Sequence, residues 1–242
     1  MGEGTGMRDL TLGYYHPMPN LTNPFPRPID GVLFDLDDTL YNRRATFRAW
    51  SEIFLRERLG ITSDGECAEI VTWMESLDAN GYGSKHAVIV ELCARFPSAI
   101  GQVEAFYDEF VERVQFDPEA VELLDHLDAT ALPYGVITNG TARQQRKIDA
   151  LRLGDRTSTI LISDIFGDKK PSAPIFLAAA KSIGVAPVDI LFVGDHPIND
   201  IQGARSVGMM TAWLHRDRPW PQEVPPADLT IDNLQNLKSF IR

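Results

Sequence analysis

Uninterrupted runs of apolar residues recur along the chain and predict the strands of a buried sheet. In each run the apolar side chains occupy consecutive positions instead of alternate ones. That pattern is typical of strands covered on both faces in a parallel sheet. The runs are Gly31–Phe34, Tyr134–Ile137, Ile160–Ile162, Ile190–Val193 and Thr211–Leu214.

Helical patterns alternate with these runs. The stretch Pro118–Ala129 places Val121, Leu124 and Leu127 on one side, with Asp117 as its predicted N-cap. Alternating strands and helices form βαβ units. The predicted fold class is therefore α/β, with a doubly wound, Rossmann-like parallel sheet. The other predicted helices of this part are Thr141–Leu151, Ala173–Ile183 and Asp200–Val207.

Residues 43–117 depart from this alternation, because no strand pattern occurs among them. We expect them to form an α-helical cap inserted after the first strand, with residues 30–42 and 118–242 forming the α/β core. Residues 1–29 are rich in Pro and Asn and predict an irregular leader. The predicted cap helices are Arg44–Arg58, Ala68–Leu77 and Lys85–Arg95.

Charge and composition exclude several classes of partner. The 242 residues carry a formal net charge of −11, which argues against a nucleic-acid surface, since such a surface needs clustered Lys and Arg. No run approaches the roughly 18 apolar residues of a membrane span, and the first residues lack the pattern of a signal peptide. Cys67 and Cys93 do not form a disulfide framework. We therefore expect a cytoplasmic protein with neither a nucleic acid nor a membrane as partner.

Three carboxylates follow the first predicted strand at once. Asp35, Asp37 and Asp38 repel one another, and the carboxyl edge of an open α/β sheet is where ligands bind. A calcium loop of the EF-hand type needs Gly at its sixth position, which is Leu40 here. These carboxylates therefore belong either to a ligand site or to a solvated acidic turn. The residues at the ends of the other strands decide between these interpretations.

Those strand ends carry polar residues as well. Thr138 and Asn139 end the second strand at a strand-to-helix turn, which is a natural anion site. Lys170 stands immediately before a Pro-x-x-Pro segment that places it rigidly, and Asp195 and Asp200 follow the fourth strand. A second group of carboxylates and a lysine are thus expected at the same edge of the sheet.

These four segments, in this order and with a helical insert after the first, resemble the haloacid dehalogenase (HAD) superfamily of phosphohydrolases. The resemblance spans about residues 31–215 and is with the branch that carries a helical cap. It implies that Asp35 is the nucleophile that forms an aspartyl-phosphate, and that Asp37 is the general acid and base. It also implies that Lys170, Thr138 and the amide of Asn139 hold the phosphoryl oxygens.

The resemblance further implies a Mg²⁺ cofactor, an ion that prefers hard oxygen ligands. Asp35, the backbone carbonyl of Asp37, and Asp195 would hold it, with Asp200 as a further ligand or a support of the ligands. The acid role requires a partly protonated Asp37, and close carboxylates that cannot all ionise would raise its pKa. The expected substrate is a small phosphate monoester, such as a nucleotide, flavin or sugar phosphate.

Other reactions of the superfamily stay as alternatives. Carbon–halogen dehalogenases need no acid for an alkoxide, so Asp37 argues for phosphoryl transfer. Phosphonoacetaldehyde hydrolases use a cap lysine, and Lys85 is the only lysine between residues 43 and 117. A phosphomutase would use the same site residues, and a non-catalytic module that binds a phosphorylated ligand is the alternative from another class.

Two further segments have a structural and a functional interpretation. The cluster Arg143–Lys147 is interpreted as the exposed face of a helix. The break Asn80–Gly83 between two cap helices either contacts the leaving group, through Asn80, Tyr82 and Lys85, or is an ordinary helix–helix turn.

Overall fold

The computed structural model describes residues 23–81, 83 and 85–241, apart from the side chains of residues 85 and 103–107. Its centre is a sheet whose strands all run parallel. The strands are β1 (Gly31–Phe34), β2 (Tyr134–Thr138), β3 (Ile160–Ile162), β4 (Ile190–Gly194), β5 (Met210–Leu214) and β6 (Leu229–Ile231).

The strand order is β3-β2-β1-β4-β5-β6, so the sheet is doubly wound, the class that the sequence predicts. The chain leaves β1 for β2 and β3 on one side and returns to β4 on the other. Phe34 therefore has Val136 of β2 and Val193 of β4 as its neighbours in register. The strand order reverses beside β1, so the residues that follow β1, β2 and β4 meet at one edge.

Between β1 and the next core helix, the described residues form helices and turns without a strand of the sheet. We call residues 43–117 the insert. Three of its helices were predicted, although the second begins four residues earlier than its sequence pattern indicates, and the sequence patterns missed the fourth. The helices are α1 (Arg43–Leu59), α2 (Asp64–Asp78), α3 (Lys85–Arg95) and α4 (Val103–Glu112).

The core helices cover both faces of the sheet. Val32 and Phe34 of β1 belong to the larger buried cluster, which includes apolar residues of the insert. Leu33 points into a second cluster, where Phe176 and Phe192 meet edge to face with ring centroids 5.1 Å apart. The helices are α5 (Pro118–Thr130), α6 (Gln144–Ala150), α7 (Ser163–Phe166), α8 (Ala173–Ile183) and α9 (Gly203–Ser206).

The two ends of the insert are fastened to each other. The backbone N–H of Asn42 donates to Asp117 Oδ1 at 3.1 Å, and the N–H of Asp117 donates to the carbonyl of Leu40 at 3.1 Å. Arg216 donates to the other carboxylate oxygen of Asp117 at 2.5 Å. Asp117 stands at the predicted N-cap position, but its side chain caps no helix N–H, because these contacts occupy it.

The described residues before β1 and after β6 pack against each other. The predicted leader lies outside the described residues up to residue 22. Phe25 is buried against Phe240, with ring centroids 5.6 Å apart. No helix among the described residues is long and apolar enough to cross a membrane.

Candidate active site

A cavity of about 700 Å³ lies at the carboxyl edge of the sheet, between the core and the insert. The segments that follow β1, β2 and β4 line it from the core side. Asn80, Gly81 and Gly83 line it from the insert, together with Phe110 and Val111 of α4. The structure thus brings all the predicted site residues to one cavity, namely Asp35, Asp37, Thr138, Asn139, Lys170, Asp195 and Asp200.

Asp35 follows β1 directly and is held in place by its backbone and its side chain. Its N–H donates to the carbonyl of Val193 at 2.9 Å, which extends the pairing of β1 with β4. Its Oδ1 accepts from Lys170 Nζ at 2.5 Å and its Oδ2 from Thr39 Oγ1 at 3.3 Å. Burial raises the pKa of Asp35 well above its ordinary value, although Lys170 opposes that shift.

Lys170 is almost fully buried and bridges two carboxylates. Its Nζ lies 2.5 Å from Asp35 Oδ1 and 2.7 Å from Asp200 Oδ1. Burial would lower the pKa of Lys170, but Asp200 and Asp35 outweigh it and keep the pKa above its ordinary value. The lysine is therefore charged and points at the candidate nucleophile.

The side chain of Asn139 fixes the backbone of Lys170. Its Nδ2 donates to the carbonyl of Lys170 at 2.9 Å, and its Oδ1 accepts from the N–H of Lys170 at 2.9 Å. The predicted phosphate contact of Asn139 uses its own N–H, so this side-chain role is a second one. The loops after β2 and β3 are thereby joined.

Asp35, Asp195 and Asp200 form a buried group of carboxylates with one oxygen of each within 4.8 Å of the others. Burial and the neighbouring Asp200 raise the pKa of Asp195 to about 7, against the opposing charge of Arg218, which donates to Asp195 Oδ2. Lys170 and Arg218 offset part of the negative charge of this group, and an oxygen-only donor set of this kind fits Mg²⁺. The residues present therefore fit the predicted metal.

Asp200 packs tightly against the end of β4. Its Oδ2 accepts from the N–H of His196 at 2.9 Å, and its Oδ1 lies 2.7 Å from Lys170 Nζ. A Cβ on Gly194 would lie 2.5 Å from Asp200 Oδ2, so only glycine fits there. The Nδ1 of His196 accepts from the N–H groups of Ile198 and Asn199, which agrees with its interpretation as a turn residue.

Four side chains converge on Asp37. Lys147 Nζ lies 2.5 Å from Oδ1, which also accepts from the hydroxyl of Tyr41, and Gln144 Nε2 donates to Oδ2 at 2.5 Å. Arg43 Nε is 3.8 Å from Oδ1. The carboxylate of Asp37 is absent from the group that could hold a metal, which leaves its backbone carbonyl for that predicted role.

The charge at Asp37 differs from the prediction. Burial alone would raise its pKa, but Lys147 and Arg43 outweigh burial and hold the pKa well below its ordinary value. The expectation that neighbouring carboxylates keep Asp37 protonated is therefore wrong for the protein alone, since its nearest charges are cations.

The interpretation of Arg143–Lys147 as an exposed helix face is wrong for two of its residues. Gln144 and Lys147 are buried, and Gln144 also donates to Thr138 Oγ1 at 2.7 Å. The spacing Gln144, Lys147, Ile148 and Leu151 is a helical stripe at i, i+3, i+4 and i+7, and that stripe was the available signal. Sequence reasoning also missed Arg43 and Arg218, for which no pattern pointed inward.

The segment Ala79–Gly81 is tied to α1. Arg43 donates to both carboxylate oxygens of Asp78, at 2.6 and 2.8 Å, and Asp78 Oδ2 accepts from the N–H of Gly81 at 2.9 Å. Asn80 and Gly81 line the cavity, whereas Tyr82 lies outside the described residues. This break is thus part of the wall of the site.

A doubly wound sheet with a buried aspartate, lysine and carboxylate group at its switch point defines a Rossmann-like hydrolase. A family model described as haloacid dehalogenase-like hydrolase matches residues 29–208. The chain belongs to that family.

Curated relatives agree with this assignment, and a solved structure has the same fold. The chain is 29% identical to a glyceraldehyde 3-phosphate phosphatase of Methanopyrus kandleri, over 88% of this chain and 97% of the relative. It is 31% identical to a phosphoglycolate phosphatase of Xylella fastidiosa, over 82% and 86%. The crystal structure of the HAD-hydrolase YfnB of Bacillus subtilis, bound to magnesium, matches with a TM-score of 0.69 and 23% identity, over 89% and 100%. These findings confirm the predicted superfamily, fold class and enzyme class, a phosphatase.

Proposed function

We propose that this enzyme hydrolyses small phosphate monoesters in the presence of Mg²⁺, through an aspartyl-phosphate on Asp35. One observation carries the proposal. The carboxylate of Asp35 is buried at the switch point of the sheet, in contact with Lys170 and grouped with Asp195 and Asp200. An acid in that place is fixed in position, lies beside a positive charge and borders a cavity large enough for a small ester.

Asp35, Asp195 and Asp200, with the backbone carbonyl of Asp37, would hold the ion. When bound, Mg²⁺ neutralises these carboxylates and the charge of the phosphate oxygens. The pKa of Asp195, which burial and Asp200 raise to about 7, supports this assignment, because it shows that negative charge is crowded at this place.

The first half-reaction begins at Asp35. One of its oxygens attacks phosphorus while the bond to the leaving oxygen breaks. Lys170 offsets the charge on the phosphoryl oxygens, and Thr138 and the N–H of Asn139 lie on the same cavity wall to bind them. Asp37 protonates the leaving alkoxide.

Water then attacks the phosphorus held on Asp35, the bond between phosphorus and the Asp35 oxygen breaks, and inorganic phosphate leaves while the free carboxylate is restored. The ionised form of Asp37, which Lys147 and Arg43 favour in the protein alone, takes the proton from that water. The negative charge of a bound phosphate ester acts in the other direction and favours the protonated form required in the first half-reaction. Each turnover therefore returns Asp37 to its starting state.

The insert supplies the other wall of the cavity and is proposed to act as a cap, with residues 30–42 and 118–242 as the core. Asn80, Gly81 and Phe110 line the cavity opposite the strand ends. A cap over the site excludes water while charge develops. Because the relatives named above act on different small phosphate esters, we place the choice of leaving group in this wall.

The test is inorganic phosphate release from a panel of nucleotide, flavin, sugar and hydroxy-acid monophosphates, with Mg²⁺ or with EDTA. Wild type, Asp35→Asn, and Lys170→Met are compared with Asp168→Asn and Lys169→Met, whose side chains are exposed nearby. We expect Mg²⁺-dependent release that is lost in the first two variants and kept in the two controls. Release by Asp35→Asn, or conversion of sugar phosphates to isomers without net phosphate, would refute the proposal.

A further inference from the structure

The cationic side chains that line the cavity are nearly all paired with acids of the protein. Among those the structure describes, Lys170 contacts Asp35 and Asp200, and Lys147 contacts Asp37. These positive charges are compensated before any ligand enters.

Two arginines of the cavity are compensated in the same way. Arg43 is paired with Asp78 through both carboxylate oxygens. Arg146 of α6 is paired with Asp108 of α4, so that this ion pair links the core to the insert beside the cavity.

Arg143 is the exception. It lines the same cavity, is exposed, and its guanidinium has neither a hydrogen bond nor an ion pair with any residue in the described part of the chain. It stands one helical turn before Arg146 and three residues after Gly140. An uncompensated guanidinium therefore lines the cavity close in sequence to the turn that follows β2, where Thr138 and Asn139 lie.

We infer that Arg143 binds a carboxylate on the leaving group, so that the substrate is the phosphate ester of a hydroxy acid. A guanidinium presents paired N–H donors that match a carboxylate geometrically. One free positive charge balances one carboxylate. A second phosphate group would leave an unbalanced negative charge in a protein whose net charge is already −11. This inference rests on the proposed function.

The test uses pairs of esters that differ in the carboxylate. Phosphoglycolate is compared with 2-hydroxyethyl phosphate, and 3-phosphoglycerate with glycerol 3-phosphate. The measured quantity is the ratio of kcat/KM for the acid to that for its neutral partner. We expect wild type to favour the acids, and Arg143→Gln to lower the ratio on the order of tenfold to a hundredfold, the effect of one charge-assisted hydrogen-bonded contact.

Two variants sharpen the comparison. Arg143→Lys keeps the charge without the paired donors and is expected to retain part of the preference. Arg152→Gln removes an arginine that is 82% exposed, lies outside the cavity lining and is paired with Asp155, and it should keep the wild-type ratio. An equal fall in the ratio in Arg143→Gln and Arg152→Gln would overturn the inference, because it would then reflect general surface charge.

A binding measurement separates this inference from the proposed function. Calorimetry on Asp35→Asn with Mg²⁺ compares phosphoglycolate with 2-hydroxyethyl phosphate, with and without Arg143→Gln. A loss of affinity confined to the acid supports the inference even where turnover is absent. The inference is overturned if both esters bind with the same affinity. It is also overturned if Arg143 produces a preference for fructose 1,6-bisphosphate over fructose 6-phosphate and none for the carboxylate. Absence of phosphate release from every ester refutes only the proposed function.

Discussion

The side chain of Asn139 and the backbone of Lys170 form a reciprocal pair of hydrogen bonds, each 2.9 Å long. Asn139 follows β2 and Lys170 lies in the loop between α7 and α8, so the pair joins two loops that come from different parts of the chain. The position of the lysine ammonium beside Asp35 therefore depends on a residue that sequence analysis assigned to phosphate alone.

Asn139→Ala is expected to lower kcat by about tenfold or more, because Lys170 loses its backbone support and small displacements at a reacting centre are costly. The free energy of unfolding should fall by about 1–3 kcal/mol, since two buried backbone groups lose their partners. Asn233→Ala is the control, as it removes a helix cap that does not line the cavity. Steady-state kinetics and thermal unfolding check this. A similar fall of kcat in both variants would contradict it.

Lys147→Met is expected to lower kcat by about tenfold to a hundredfold, a part of the effect that a positioned acid and base supplies. The reason is that Lys147 orients Asp37, while Gln144, Tyr41 and Arg43 continue to hold it in part. Kinetics with one generic aryl phosphate would measure the effect on kcat. Lys181→Met, an exposed lysine of α8, should behave as wild type. Unchanged turnover in Lys147→Met would show that the contact has no part in the reaction.

Gly194→Ala is expected to impair the site and the fold together. The added Cβ would lie 2.5 Å from Asp200 Oδ2, and such overpacking costs about 1–3 kcal/mol of unfolding free energy. Displacement of Asp200 should also weaken the response to Mg²⁺. Gly154→Ala is the matched change, because its Cβ meets no atom within 4 Å. Thermal unfolding with and without Mg²⁺ distinguishes the two variants, and equal behaviour would disprove the steric argument.

Mg²⁺ is expected to raise the melting temperature of the wild type by about 5–10 °C at a concentration about 100 times its dissociation constant, which corresponds to about 2.7 kcal/mol. Asp195→Asn should lose most of this shift, because it removes one of three grouped carboxylates. Asp155→Asn changes an exposed carboxylate elsewhere and should keep the shift. Differential scanning calorimetry measures the shift in melting temperature. An equal shift in Asp195→Asn and Asp155→Asn would show that the ion binds elsewhere.

Much of the fold could be predicted because the apolar runs are long and uninterrupted. β1, β2, β4 and β5 are buried at every position, which is why consecutive apolar residues mark them. β6 was missed because it has three residues, and the middle one is an exposed threonine. The helix predicted over Asp200–Val207 begins earlier, with a π-helical turn at Pro197–Gln202 whose first N–H groups bind His196. A helix start that is capped by a side chain in this way does not show in the hydrophobic periodicity of the sequence.

The candidate site could be predicted where its residues follow strands directly, as Asp35 and Asp195 do. Residues on helices were harder, because a charged side chain on a helix usually faces solvent. Lys147 and Arg43 are buried only because Asp37 and Asp78 compensate their charges. Such pairs join positions far apart in the chain, and the sequence pattern alone does not reveal them.

Because the two ends of the insert are hydrogen-bonded to each other, the insert is a suitable unit to exchange in engineered variants. Because Asn42 and Asp117 are hydrogen-bonded to each other, the chain leaves the core and returns to it at neighbouring positions. A different helical module could be grafted between these two positions without changing the path of any strand. Chimeras cut there would exchange the wall that faces the leaving group while keeping the carboxylates and Lys170, and selectivity could change independently of the reaction itself.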